Sequence, residues 1–289
     1  MLGAWPWTLP VAGSCGYMGL SVTFVSGPRR SGKSALIEAM IHRAWKTAPH
    51  YLRLVKEGSD KLPPRPCQDK PGSKCGVASA RWLDYDPEQV FAILPEALAA
   101  IHRRDRYGSV VIEADADPNL RCAYPYDHRV FVMPLPGTIS EVFRETTRAA
   151  EELRRVLEDT AAFASEIFGL FTRDADDAAE PSEDRADMTA TQMRGFLYSP
   201  LGDELATRIQ LQQPYHGLVE SDVIVVNTRV GERGPETEEC LRRVGRLLAR
   251  TRSVSGRHGE LFLCDLCDQN GSIDRTLLKA LKPMCAGGK

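Results

Sequence analysis

What this chain lacks narrows it first. No apolar run approaches the ~18 residues needed for a bilayer-spanning helix, so no membrane span is expected. Neither sign of charge dominates: 37 Lys and Arg stand against 39 Asp and Glu, a formal net charge of -2. Attraction of the whole chain to a polyanion therefore has no support, which argues against nucleic acid as a partner unless a local basic patch supplies it. The eight cysteines, at 15, 67, 75, 122, 240, 264, 267 and 285, are too dispersed to form the disulfide framework of a small secreted domain. The opening stretch, MLGAWPWTLPVAGSCGY, has no basic n-region and is broken by Pro6, Pro10, Gly13 and Gly16, so it does not read as a signal peptide. A reducing, cytoplasmic compartment is the expectation. No internal repeat is visible.

What is present is an ordinary globular composition, 43% hydrophobic and 26% charged, in a chain of 289 residues that can bury a substantial core. Short β-branched runs alternate with longer helical stretches. Strands are expected at Ser21–Ser26, Tyr51–Lys56, Ser109–Ala114, Arg129–Met133, Asp222–Asn227 and Glu260–Cys264. Helices are expected near 32–46, 87–105, 139–172, 200–213, 236–252 and 273–282. Several of the strands are apolar almost throughout, the mark of burial on both faces. The fold class is therefore α/β: a mostly parallel sheet with helices on both faces, built by right-handed crossovers.

Two stretches interrupt the alternation. Residues 57–80 hold four prolines and three glycines without a period, and read as a long functional loop. Residues 136–215 read as a helical insertion. Its first part repeats apolar residues at helical spacing from Val142 and Phe143 to Ile167 and Phe171. Its later part carries seven acidic residues against one arginine between 174 and 187, and reads as a solvated, mobile linker. The expected organisation is an extension at 1–17, the first part of the α/β domain at 18–135, the insertion at 136–215, and the second part of the domain at 216–289.

One motif carries chemistry. Gly27-Pro28-Arg29-Arg30-Ser31-Gly32-Lys33-Ser34 fits G-x-x-x-x-G-K-[ST], the phosphate-binding P-loop, a match expected by chance about once in a hundred chains of this length. The context adds weight, because the apolar run Val22–Val25 precedes it and the helix-forming run Ala35–Met40 follows. Glycines in such a loop let backbone amides turn toward phosphate oxygens, and the helix N-terminus adds partial positive charge. Lys33 is expected to bridge the β- and γ-phosphates of ATP or GTP, and the Ser34 hydroxyl to ligate Mg²⁺. Arg29 and Arg30 are either solvated loop charges or phosphate contacts.

A P-loop also needs an acidic group at the end of a neighbouring strand. Val110–Asp117, VVIEADAD, supplies Glu113, Asp115 and Asp117. Either Glu113 or Asp115 can take the magnesium role; Asp115, beyond the strand's carboxyl end, is the expected partner of Ser34. Asp117 is expected to orient the attacking water.

SGPRRSGKSALIEAM resembles the phosphate loop of the nickel-insertion GTPases for urease and hydrogenase, VVIEADADPNL resembles their strand and acidic switch, and ESDVIVVNTRVG resembles the strand that ends in their base-recognising asparagine. LFLCDLCDQNGSIDRTLLKAL lies where a last strand, loop and helix of that class sit. These GTPases belong to the SIMIBI class of P-loop proteins, with the MinD/ParA, dethiobiotin-synthetase and molybdopterin-guanine-dinucleotide accessory families. The resemblance covers roughly 20–56, 107–135 and 218–283, and implies a nucleotide-dependent switch with Asn227 near the base. Two departures stand out. The guanine motif N-K-x-D is here Asn227-Thr228-Arg229-Val230, without its lysine or aspartate, so at most a modest preference for GTP over ATP is expected. The metal motif of the nickel chaperones is replaced by a stretch that separates Cys122 from His128.

The remaining cysteines, including the pair Cys67 and Cys75 and the C-x-x-C of Cys264 and Cys267, read as buried or incidental thiols rather than a zinc site. The leading expectation is a Mg²⁺-dependent nucleoside triphosphatase whose loops 57–80 and 115–128 respond to the γ-phosphate. A small-molecule kinase is the second reading, with Arg144, Arg148, Arg154, Arg155 and Arg194 of the insertion lining a lid. A non-catalytic nucleotide-binding scaffold that docks a protein through 136–215 is the third. A homodimer is left open.

Overall fold

The apolar runs of the sequence become the strands of one sheet. In the computed structural model, the described residues are 19–56, 76–86, 89–117, 120, 123–144, 155, 210–229, 231, 233–250, 258–266 and 274–285. Seven strands lie in the order β3-β2-β4-β1-β5-β6-β7, and every pairing is parallel. They are β1 (Ser21–Ser26), β2 (His50–Lys56), β3 (Ser79–Tyr85), β4 (Ser109–Glu113), β5 (His128–Pro134), β6 (Val223–Asn227) and β7 (Glu260–Cys264). Every residue of β1, β4 and β6 is buried, which is why apolar residues occur on both faces of these strands, beside the buried polar Ser21, Thr23, Ser26, Ser109, Glu113 and Asn227. The expected α/β class is the observed one.

Helices cover both faces. They are α1 (Lys33–Arg43), α2 (Val90–His102), α3 (Ile139–Val142), α4 (Pro235–Arg250) and α5 (Arg275–Leu281), with short 3₁₀ helices at Gln213–Glu220 and Lys282–Cys285. On one face, Val25, Val111, Val130, Val132 and Val225 pack with Leu36, Ile37 and Met40 of α1 and with Leu277 and Leu281 of α5. On the other, Phe24, Val110 and Ile112 meet Leu94 and Leu98 of α2, while Phe131, Met133, Ile224 and Val226 meet Leu218 and the Val244, Leu247 and Leu248 side of α4. Among the described residues no helix is long and apolar enough to cross a membrane.

The structure differs from the expected elements at the start of β3, at Phe143 and at Leu211. The end of the stretch read as loop, 57–80, belongs to β3, which pairs with β2 from Ser79 to Tyr85. This strand lies at the sheet edge with Ala80, Arg81, Trp82 and Asp84 exposed, so it has no apolar run to announce it. The helix expected over 139–172 is interrupted after its first turn, and from 145 to 172 the described residues include Arg155 alone, which is helical. Phe143 is extended (φ -116°, ψ 139°) and bridges antiparallel to Leu211, with Arg144 N donating to Gln210 O and Gln212 N to Val142 O. Tertiary packing overrides helical spacing here: Phe143 is fully buried, and the Arg243 guanidinium lies 4.2 Å over its ring. The helix expected over 200–213 gives way at Leu211 to that bridge and at Gln213 to a 3₁₀ helix.

The two ends of the expected insertion are thus part of the core, through Val142, Phe143, Leu211 and Tyr215. Residues 1–18, 57–75, 145–154, 156–209 and 286–289 lie outside the described residues. With them go most of the expected insertion, its acidic stretch, and Arg148, Arg154 and Arg194.

Candidate functional site

Because every strand is parallel, the carboxyl ends Ser26, Glu113, Pro134, Asn227 and Cys264 share one edge of the sheet. Clefts at that edge, beside the middle strands, are where open α/β sheets bind ligands. The loop 27–34 leaves β1 there and runs straight into α1.

Two glycines make the loop possible. Gly27 has φ +151°, and a Cβ on it would lie 1.9 Å from the Val132 carbonyl oxygen of neighbouring β5. Gly32 has φ +104°, and its Cβ would lie 2.7 Å from Asn227 Nδ2 and 2.9 Å from Leu266 Cδ1. Arg30 between them also adopts the left-handed region (φ 61°). Gly32 caps α1 without a side-chain hydrogen bond, and no acidic residue stands in the first turn. The positive end of the helix dipole at the sheet's carboxyl edge is therefore not neutralised from within its own first turn.

The first two residues of α1 reach in different directions. Lys33 is buried, and its Nζ donates to the carbonyls of Gly27 (2.9 Å) and Pro28 (2.8 Å) and to Asp115 Oδ1 (3.2 Å). Burial pushes its pKa down, and the charges of Asp115 and Glu113 pull it back up. The Ser34 hydroxyl donates to Glu113 Oε1 at 2.7 Å, and the buried Tyr51 hydroxyl donates to Glu113 Oε2 at 2.5 Å. Of the two acids expected to partner Ser34, Glu113 rather than Asp115 is the one in contact with its hydroxyl. The register explains why: Glu113 aligns with Val25 on the sheet face that α1 covers, so its side chain rises beneath the start of α1. Asp115 lies past the end of β4 and faces the loop instead, where Arg29 Nε also donates to its Oδ2 at 3.0 Å.

Asn227 is fully buried beneath the loop. Its Nδ2 donates to Ser31 O (3.1 Å), and its Oδ1 accepts from Arg229 N (3.3 Å) and Leu266 N (3.4 Å). It thereby ties the end of β6 and the segment after β7 to the loop. The Ser31 hydroxyl is buried and has no hydrogen-bond partner among the described residues. Asp117 Oδ2 accepts from the Tyr85 hydroxyl at 3.2 Å. Burial, helped by the Asp117 charge, raises the Tyr85 pKa well above its ordinary value.

The structure therefore brings Gly27, Pro28, Arg29, Arg30, Ser31, Gly32, Lys33, Ser34, Glu113, Asp115 and Asn227 to one place. Two contributors have no motif of their own. Tyr51 sits on an alternating strand, where only the register with β4 turns it toward Glu113. Leu266, against Gly32, follows a strand whose position relative to the loop is set by sheet order alone.

Hard oxygen donors suit Mg²⁺, which binds one or two carboxylates and fills its other positions with phosphate and water. The Ser34 and Glu113 oxygens, in contact at the end of β4, fit that requirement. Among the described residues no group of three His, Cys, Asp or Glu side chains is placed to hold a metal ion. The described cysteines Cys240, Cys264 and Cys285 are free and buried, whereas Cys15, Cys67, Cys75, Cys122 and Cys267 lie outside the described residues. No protein-family model matches the chain, and no curated protein matches it.

Proposed function

We propose that the chain binds a nucleoside triphosphate, ATP or GTP, with Mg²⁺ at the loop 27–34 and hydrolyses it, acting in the cytoplasm as a switch or accessory NTPase of the SIMIBI P-loop class. One observation carries this reading. Lys33 and Ser34 open the helix that follows a glycine-constrained loop, and the Ser34 hydroxyl touches a carboxylate, Glu113, on the adjacent parallel strand. Loop, helix end, cation, hydroxyl and carboxylate are the parts that phosphoryl transfer requires, because positioning and charge neutralisation do nearly all of its catalysis.

In this reading the amides of the loop and of the first turn of α1 hold phosphate oxygens. Lys33, kept in place by the Gly27 and Pro28 carbonyls, neutralises charge on the β- and γ-phosphates. Ser34 and Glu113 hold the magnesium, and Tyr51 orients Glu113. When bound, the metal supplies neutralisation of charge on the β- and γ-oxygens. Asn227 acts on the loop as a positioning residue, and Asp117 stands beyond β4 as the group that orients water. The span 136–215 is the proposed protein-docking region.

The test measures phosphate release from ATP and GTP with Mg²⁺, beside fluorescent-nucleotide titration, for the wild type and Lys33→Ala. The expected result is turnover and tight binding in the wild type and loss of both in the variant, with unchanged far-UV circular dichroism. Equal affinity in the two proteins would remove the loop from consideration.

A further inference from the structure

Asp115 lies between two cations of the loop. Its Oδ1 accepts from Lys33 Nζ at 3.2 Å and its Oδ2 from Arg29 Nε at 3.0 Å. An ammonium has three donors, and two of those on Lys33 go to the Gly27 and Pro28 carbonyls. The third is the one that Asp115 takes. The Lys33 side chain is 7% exposed and that of Asp115 43%, so the carboxylate covers the buried cation from the solvent side. Arg29, 67% exposed, closes the bridge from outside. A carboxylate whose two oxygens are divided between a lysine and an arginine is placed as one end of a phosphoryl group would be.

We infer that, in the ligand-free chain, Asp115 occupies the place of a nucleotide's terminal phosphoryl group. The two cations it bridges, Lys33 and Arg29, then make the site select a triphosphate over a diphosphate, and Asp115 competes with the third phosphate alone. The inference rests on the nucleotide reading above. A γ-phosphoryl group displaces the carboxylate and takes both cations. A diphosphate ends one phosphoryl group short and leaves the bridge closed. Arg29 thereby becomes a specificity-determining contact to the third phosphate rather than a solvated charge. The displaced residue is coupled onward, because Asp117 N donates to Asp115 O at 2.8 Å and Asp117 accepts from Tyr85.

Isothermal titration of the full-length chain with ATP, ADP, GTP and GDP in EDTA tests this, since the shared nucleoside fixes which phosphate is terminal. The proteins are the wild type, Asp115→Asn, Arg29→Gln and Lys33→Ala, with thermal midpoints as the folding control. Asp115→Asn removes the competing charge and is expected to bind triphosphates about three- to tenfold tighter, the range of an exposed to half-buried ion pair. Diphosphate affinity should stay within about twofold on the same ground. Arg29→Gln should narrow the triphosphate-to-diphosphate ratio by a similar factor. Weaker or unchanged triphosphate binding in Asp115→Asn, or an equal gain for both ligand classes, overturns the inference. If the wild type binds nucleotide, Lys33→Ala does not, and no selective gain appears, this inference alone falls. If wild type and Lys33→Ala are alike in binding nothing, the nucleotide reading falls and takes this one with it.

Discussion

The side chains around the loop have little freedom to change, and the two glycines show the two ways in which this happens. At Gly27 the obstacle is backbone: a Cβ would meet the Val132 carbonyl at 1.9 Å, and β5 cannot move without breaking its ladder with β1. At Gly32 the obstacle is a left-handed φ together with two side-chain ends, Asn227 Nδ2 and Leu266 Cδ1. Gly32→Ala should therefore lower unfolding free energy by about 1–3 kcal/mol. Gly27→Ala should cost about 3 kcal/mol or more. Urea denaturation of both variants checks the order, and a Gly27→Ala protein as stable as the wild type would contradict the close approach of β1 and β5. The thiols give a second prediction at this scale. Burial raises Cys240 to about 11 and Cys285 to about 12, and raises Cys264 as well. The thiolate is the reactive form, so at pH 8 only about one Cys240 in a thousand is reactive even when accessible. Mass-spectrometric mapping after iodoacetamide treatment of the native protein should find these three unmodified. Labelling should rise as pH climbs toward the raised pKa values, and urea should expose all three.

Elements differ in how plainly the sequence announces them. β1, β4 and β6 are legible because burial on both faces gives them apolar residues at successive positions, such as Phe24-Val25, Val110–Ile112 and Val223–Val226, and α4 is legible because Cys240, Val244, Leu247 and Leu248 recur on one buried side. β3 is illegible for the opposite reason: an edge strand keeps its ladder through backbone bonds while Ala80, Arg81, Trp82 and Asp84 remain in water. The stop after α3 is illegible because Val142 and Phe143 fit helical spacing, yet both are needed in the core beside Leu211 and Tyr215. Phe143→Ala should accordingly destabilise the protein by about 3–5 kcal/mol, as truncation of a fully buried aromatic does. A loss under about 1 kcal/mol, the size of a surface substitution, would place Phe143 outside the core. The candidate site divides along the same line. The loop 27–34 and the acids at and just beyond the end of β4 read directly, because chemistry restricts the residue types. Tyr51 does not, because only the pairing of β2 with β4 carries its hydroxyl to Glu113. Tyr51→Phe leaves one oxygen of a buried carboxylate without that donor. It should weaken Mg²⁺-dependent nucleotide affinity by about 10- to 100-fold, as loss of a partner that orients a metal ligand does. Titration of nucleotide at several Mg²⁺ concentrations measures it, and unchanged affinity would remove Tyr51 from the site.

At the scale of the whole molecule, the sheet order decides which residues can act together. β1 is the central strand, flanked by β4 and β5, so the loop that leaves β1 has Glu113 of β4 and Asp115 just beyond it on one side. β6 reaches the loop across β5 through the side chain of Asn227. This arrangement separates two carboxylates that the sequence places only two residues apart. Glu113, the last residue of β4, points into the face under α1 and meets Ser34; Asp115, past the strand end, meets Lys33 and Arg29. Their substitutions should therefore have different signatures. Glu113→Gln keeps the size and a hydrogen-bonding group but removes the negative charge beside Ser34. It should abolish the difference in triphosphate affinity between Mg²⁺ and EDTA, and slow phosphate release by about 100-fold or more, as loss of a charge-stabilising group in phosphoryl transfer does. Binding in EDTA should not weaken, because no phosphate contact is lost. Asp115→Asn should keep the Mg²⁺ dependence and change triphosphate affinity instead. Phosphate-release rates and titrations with and without Mg²⁺ on the two variants separate the cases. If Asp115→Asn is the variant that loses magnesium dependence while Glu113→Gln keeps it, the metal belongs beyond the strand, and the Ser34–Glu113 contact is a structural clamp between α1 and β4.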